Sequence, residues 1–281
     1  DFMIQAFIAS IGYAGGVIVD KVILSKYKIP VKRFIPLLFI WLAIITAFLL
    51  PTFGAVSWQA LWSYKYILLF LAMLAVAITW NSFYYRGIQE EEIHEFELIM
   101  MLSPLVTIIL SEIFLPAERN LALFIAGTIA SLVLIASRFR HHHLQITRNT
   151  GIVVSAMVLM SAESIIIKYL LDVFSPAALY FTRTLVMSVV FLILWRPKLL
   201  EMPAKCFAYT IISAAFGVIQ MVLKFYGFQK LGVVETTIIL VLGPFLVYFF
   251  SAFYFKENLK FRDIVAAIIV ITTVIYITFF R

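Results

Sequence analysis

The chain has 281 residues, of which 64% are hydrophobic and 13% charged, and its mean hydropathy is +1.05. Soluble domains stand nearer about 45–50% apolar and about 25% charged, so this composition excludes a soluble fold and defines an integral membrane protein. The net charge of +7 sits in short loops, where it reads as membrane topology rather than as a nucleic-acid surface, and the single cysteine, Cys206, excludes an internal disulfide.

A membrane-spanning helix needs about 20 mostly apolar residues, and the sequence offers ten such runs. The first, 2–24, is too long for a signal-peptide core and has no small-residue cleavage site after it, so no cleavable signal is expected. Its Gly12, Gly15 and Gly16 have the spacing that lets a second helix approach closely, and Lys21 stands near its end. Runs 34–51 and 66–86 follow, the latter ending in Trp80, Asn81, Tyr84 and Tyr85. Run 95–115 is opened by Glu95, interrupted by Pro104 and carries Glu112 late; run 120–137 completes the first half. Run 151–171 carries Glu163 and Lys168, run 177–195 carries Arg183 early, and run 207–227 carries Gln220, Lys224 and Tyr226. Run 233–255 is opened by Glu235 and contains Pro244; run 261–280 ends the chain. The runs are too long, and alternate too little, for a membrane barrel. The loops are too short to hold a soluble domain.

Residues 87–118 recur, altered, at 227–257. At an offset of 140, Gly87, Gln89, Glu95, Leu102, Pro104 and Ser111 fall on Gly227, Gln229, Glu235, Leu242, Pro244 and Ser251. Glu118 meets Glu257 after a one-residue slip, and at an offset of 147 Lys21 falls on Lys168. Snorkelling explains a lysine at a helix end but not its recurrence in register. The chain therefore divides into a first five-helix repeat at 1–140, a connecting loop at 141–150 and a second repeat at 151–281. Five is odd, so the second copy enters the membrane from the opposite side. The fold class expected is all-α, with ten transmembrane helices in two inverted repeats and a site where they meet. Pro104 and Pro244 each remove a backbone hydrogen bond and are expected to kink their helices.

These features resemble the drug/metabolite transporter superfamily, in its ten-helix EamA-like branch, over nearly the whole chain. The resemblance is carried by a proline followed about a dozen residues on by an acidic residue and a leucine: Pro104 with Glu118 and Leu121, and Pro244 with Glu257 and Leu259. The glycine-glutamate pair usual in the family is Ala117-Glu118 in one copy and Lys256-Glu257 in the other, a departure from its pattern. The resemblance implies a central cavity between repeats and alternating access for small metabolites. It also implies cytoplasmic termini. Loop charges say the opposite: of 22 Lys and Arg, fifteen fall on the face holding loop 1–2 and five on the face holding the termini, which places the termini outside. The two readings of orientation stand side by side. Both place the protein as a multi-pass component of a cell (inner) membrane, in contact with lipid, as a monomer or homodimer.

Ionisable residues inside spans cost about 2.5–3.5 kcal/mol each on insertion scales, so they face a cavity or a partner. Glu112, Glu163, Lys168, Arg183, Lys224 and Glu235 share a depth toward the terminal face and are expected to form one cluster. Arg183 offers a planar fork and Lys224 a point charge for a carboxylate or phosphate. Glu163 suits a substrate amine or a coupling proton, with Glu112 a second candidate for the proton. Trp80, Asn81, Tyr84, Gln220, Tyr226, Glu95 and Glu235 complete the candidate contacts; Trp and Tyr at span ends equally form the ordinary interfacial belt. His141–His143 are adjacent imidazoles that cannot all point at one ion, and no metal or cofactor is expected. No nucleophile–base set or phosphate loop appears, so no enzyme is expected. The function expected is secondary transport of small polar metabolites, amino acids or similar zwitterions. An exchanger of organic anions or phosphorylated metabolites and a non-transporting membrane subunit are the rivals.

Overall fold

The computed structural model describes residues 2–90, 96, 99–100, 102–138, 148–244, 246–247, 250, 268 and 272. Glu95, His141–His143, Ser251, Glu257, Leu259 and all but two residues of run 261–280 lie outside them. The described residues are helical apart from turns, short connections and one isolated antiparallel bridge, Val56 with Phe174.

The principal helices are α1 (Phe2–Lys21), α2 (Val31–Ala47), α3 (Tyr64–Glu90), α4 (Ser103–Phe114), α5 (Leu121–Arg138), α6 (Arg148–Leu170), α7 (Pro176–Trp195), α8 (Ala204–Lys230) and α9 (Val233–Leu240). Five helical stretches are long and apolar enough to cross a membrane: Phe2–Lys26, Tyr64–Glu90, Thr150–Leu170, Pro176–Trp195 and Ala204–Lys230. Large apolar side chains such as Phe48, Leu121, Ile193 and Leu194 point outward, as lipid-facing positions must.

Local chemistry sets the helix ends. Ser175 caps α7 by accepting from Ala178 N, with Pro176 pre-set for the first turn. Arg196, in the left-handed region at φ 42°, ends α7 just before Pro197. Gly232, at φ 98°, turns the chain from α8 into α9. The two repeat-related prolines follow breaks rather than gentle bends. Leu102 is a turn residue ahead of Pro104, which occupies the first turn of α4, and Val241 is a turn residue ahead of Pro244. A proline lacks an N–H and its ring crowds the carbonyl four residues earlier, so the helix yields just before it.

Packing explains the glycines of the first run. Gly12 faces α8, and a Cβ there would stand 3.0 Å from Phe216 O and from Gln220 N. At Gly15 an added Cβ would meet the Phe216 ring at 2.7 Å. α1 thus lies backbone-to-backbone on α8, and the other main pairings are α3 on α6, α2 on α7 and α8, and α4 on α6 and α9.

The two halves also repeat individual contacts. Lys21 Nζ donates to Ile88 O at 2.8 Å, and Lys168 Nζ donates to Phe228 O at 2.6 Å. Gln89 Nε2 donates to Ile29 O at 2.9 Å, and Gln229 Nε2 to Leu171 O at 3.3 Å. Gly87 lies against Phe96, and Gly227 against Thr236, positions that share the offset of 140. The recurring lysines therefore satisfy carbonyls at the ends of α3 and α8, groups that a helix terminus leaves without a partner.

Candidate substrate cavity

A cavity of about 80 Å³ lies between α1, α2, α3, α6, α7 and α8. Its lining includes Trp80, Asn81, Tyr84, Glu163, Arg183, Gln220 and Lys224, brought together from four helices. A second space of about 70 Å³ shares Tyr13, Met160, Gln220 and Lys224 with it. That space continues toward Ser103, Thr107, Ser164 and Thr237, with Pro104 and Pro244 in its wall. Both prolines therefore border the polar interior.

Glu163 and Arg183 form the centre. Arg183 Nε donates to Glu163 Oε1 at 2.7 Å and a terminal guanidinium nitrogen donates to Oε2 at 3.2 Å. Trp80 Nε1 donates to the same Oε2 at 2.7 Å, and the guanidinium carbon lies 5.8 Å from the Trp80 ring centroid. Both side chains are 2% exposed. A bidentate pair with a third donor is the arrangement in which a buried carboxylate and guanidinium offset one another's desolvation. Glu163 is thus occupied by protein groups.

Lys224 also lines the cavity. Its ammonium lies 5.2 Å from the Phe228 ring centroid and makes no ion pair among the described residues.

The structure does not hold the expected cluster together. Lys168 and Glu235 border a different pocket, beside the α8–α9 turn, together with Glu118, Arg119 and Gly232. Lys168 Nζ pairs with Glu118 Oε1 at 2.9 Å, and Glu118 Oε2 accepts from Val233 N at 2.6 Å, so Glu118 caps α9 and joins the halves. Glu235 is buried in the first turn of α9 and does not line the central cavity. Glu112 projects elsewhere on α4, its carbonyl accepting from Arg119 Nε at 2.7 Å, and does not line the cavity either. Tyr226 packs against the apolar core instead. Similar depth along different helices did not imply a shared face, because each helix's rotation decides where its side chains point.

Polar cavity residues that were not among the sequence candidates include Asp20, Ser213, Tyr13 and Tyr180. Tyr85, read as a belt residue, is buried and lines the cavity too. Asp20 is 5% exposed and accepts a short hydrogen bond from Ser213 Oγ. The signal was present, an aspartate inside an apolar run, but its neighbour Lys21 at the span end drew the reading.

The fold and the cavity define a multi-pass membrane protein with a polar interior. Residues 150–279 match the model of the EamA-like transporter family, part of the drug/metabolite transporter superfamily, so the resemblance drawn from the sequence is shown over that segment, and that family is one of membrane transporters. A solved crystal structure of a protein aligns with 99% of this chain and 96% of its own at a TM-score of 0.73 and 14% identity, a likeness of fold alone. No curated protein matches the chain.

Proposed function

We propose that the chain is a secondary transporter of small polar metabolites, amino acids or similar zwitterions, working by alternating access between two inverted five-helix repeats, 1–140 and 151–281. The observation that carries this reading is the cavity at the junction of the halves, holding Glu163, Arg183 and Lys224 in an otherwise apolar bundle. Charges at that depth are costly to insert and are retained where they serve a solute path. The paired contacts of Lys21 and Lys168, and of Gln89 and Gln229, support the repeat relationship. Each half supplies one wall, so relative rotation would expose the cavity to either side in turn.

Lys224 favours a second reading, exchange of organic anions or phosphorylated metabolites, because it is a cavity cation with no counter-ion among the described residues. Proteoliposome uptake of radiolabelled amino acids, dicarboxylates and sugar phosphates decides between them. Saturable uptake of an amino acid, with Lys224→Gln cutting it about tenfold, supports the first reading. Uptake confined to multiply charged anions, abolished by the same substitution, moves the assignment to the second. No saturable uptake of any class would sink both.

A further inference from the structure

We propose that Asp20 is the ammonium-binding position of the cavity, so that the solute is a primary amine or carries one. This rests on the transporter reading and sharpens it.

Among the described residues, Glu163 and Asp20 are the carboxylates that line the cavity. Three donors already occupy Glu163. Asp20 accepts one hydroxyl, from Ser213, and a carboxylate has roughly four lone-pair sites, so most of its accepting capacity is unspent. A carboxylate so deeply buried is expensive to leave unpaired. The cations around it are turned elsewhere. Lys21, its neighbour in α1, donates to Ile88 O; Arg183 is held by Glu163; Lys224 sits eleven residues beyond Ser213 on α8, about 16 Å along the axis at about 1.5 Å per residue. The remaining titratable groups lining the space, among the described residues, are the phenols Tyr13, Tyr84, Tyr85 and Tyr180.

Those phenols, with Phe39 and Trp80, make the wall aromatic, and aromatic faces attract cations. A carboxylate and a serine oxygen beside them provide acceptors for N–H donors, which a primary ammonium has and a quaternary one lacks.

The test is thermal unfolding of the purified protein in detergent with tyramine, butylamine, cadaverine, tetramethylammonium and tyrosol, the neutral alcohol counterpart of tyramine. The primary amines should raise the melting temperature of the wild type while tetramethylammonium and tyrosol do not. Asp20→Asn should remove the shift or weaken the apparent affinity at least tenfold, and Asp20→Glu should keep part of it. Should Asp20→Asn fail to fold, Ser213→Ala is read in its place, with a weakened shift expected. An equal shift in the Asp20 and Ser213 variants, or no shift by any primary amine in the wild type, overturns the proposal. If that happens while proteoliposome uptake persists, only the ammonium site falls and the transporter reading stands.

Discussion

Glu163 holds Arg183 through both oxygens while Trp80 donates to one of them, a closed set buried in the middle of the bundle. Removing one member leaves the other charge stranded. Glu163→Gln should therefore destabilise the protein by about 3–5 kcal/mol, read as a fall in melting temperature, before any effect on flux is considered. The double replacement Glu163→Leu with Arg183→Met should recover most of that loss, because a buried pair replaced by apolar side chains is often neutral. Wild-type flux in the recovered double variant would make the pair a scaffold element; lost flux with recovered stability would place it in transport. Its members were legible in the sequence as charges within apolar runs. Their pairing was not, because twenty residues and a change of helix separate them. Asp20 was equally visible as a letter but lay beside a lysine that explained itself as a helix-end residue.

At the scale of elements, glycine spacing in α1 signalled a close helix contact without naming the partner, and the fold supplies α8. Gly12→Val should cost about 1–3 kcal/mol, since the atoms its side chain meets are main-chain atoms that cannot rotate away. The check is melting temperature alongside Gly16→Ala, which should be tolerated because the nearest atom, Phe216 Cβ, would stand 3.8 Å away. Gly12→Val melting like the wild type would show that the α1–α8 approach has slack. The prolines were read as kinks; the turns at Leu102 and Val241 make them break points, placed where both helices border the cavity.

Across the whole molecule, the two halves are tied beside the α8–α9 turn and again at a main-chain seam. Ser57 N donates to Val173 O at 2.8 Å, Ser175 N donates to Ala55 O at 2.8 Å, and Ser175 Oγ donates to Phe53 O at 2.8 Å. Glu118 adds its bond to Lys168 and its cap on α9. A double-mutant cycle with Glu118→Gln and Lys168→Met should give a coupling on the order of 1 kcal/mol, modest because both side chains keep some solvent. A coupling of zero would mean that the ion pair adds nothing to the main-chain seam and the Glu118 cap on α9.

The sequence by itself determined the membrane class, the helical runs, the in-register recurrence of Lys21 and Lys168, and the short set of charges that had to find partners. Those follow from composition and from period, which are local properties. Only the tertiary structure decided that Glu163 is spent on Arg183 and Trp80, that Glu235 and Lys168 stand apart from the cavity, and that Asp20 enters it. Each of these depends on the rotation of one helix against another. That rotation is set by close contacts such as Gly12 on Phe216 and Gln220, between residues about two hundred positions apart in the chain, and no local pattern encodes it.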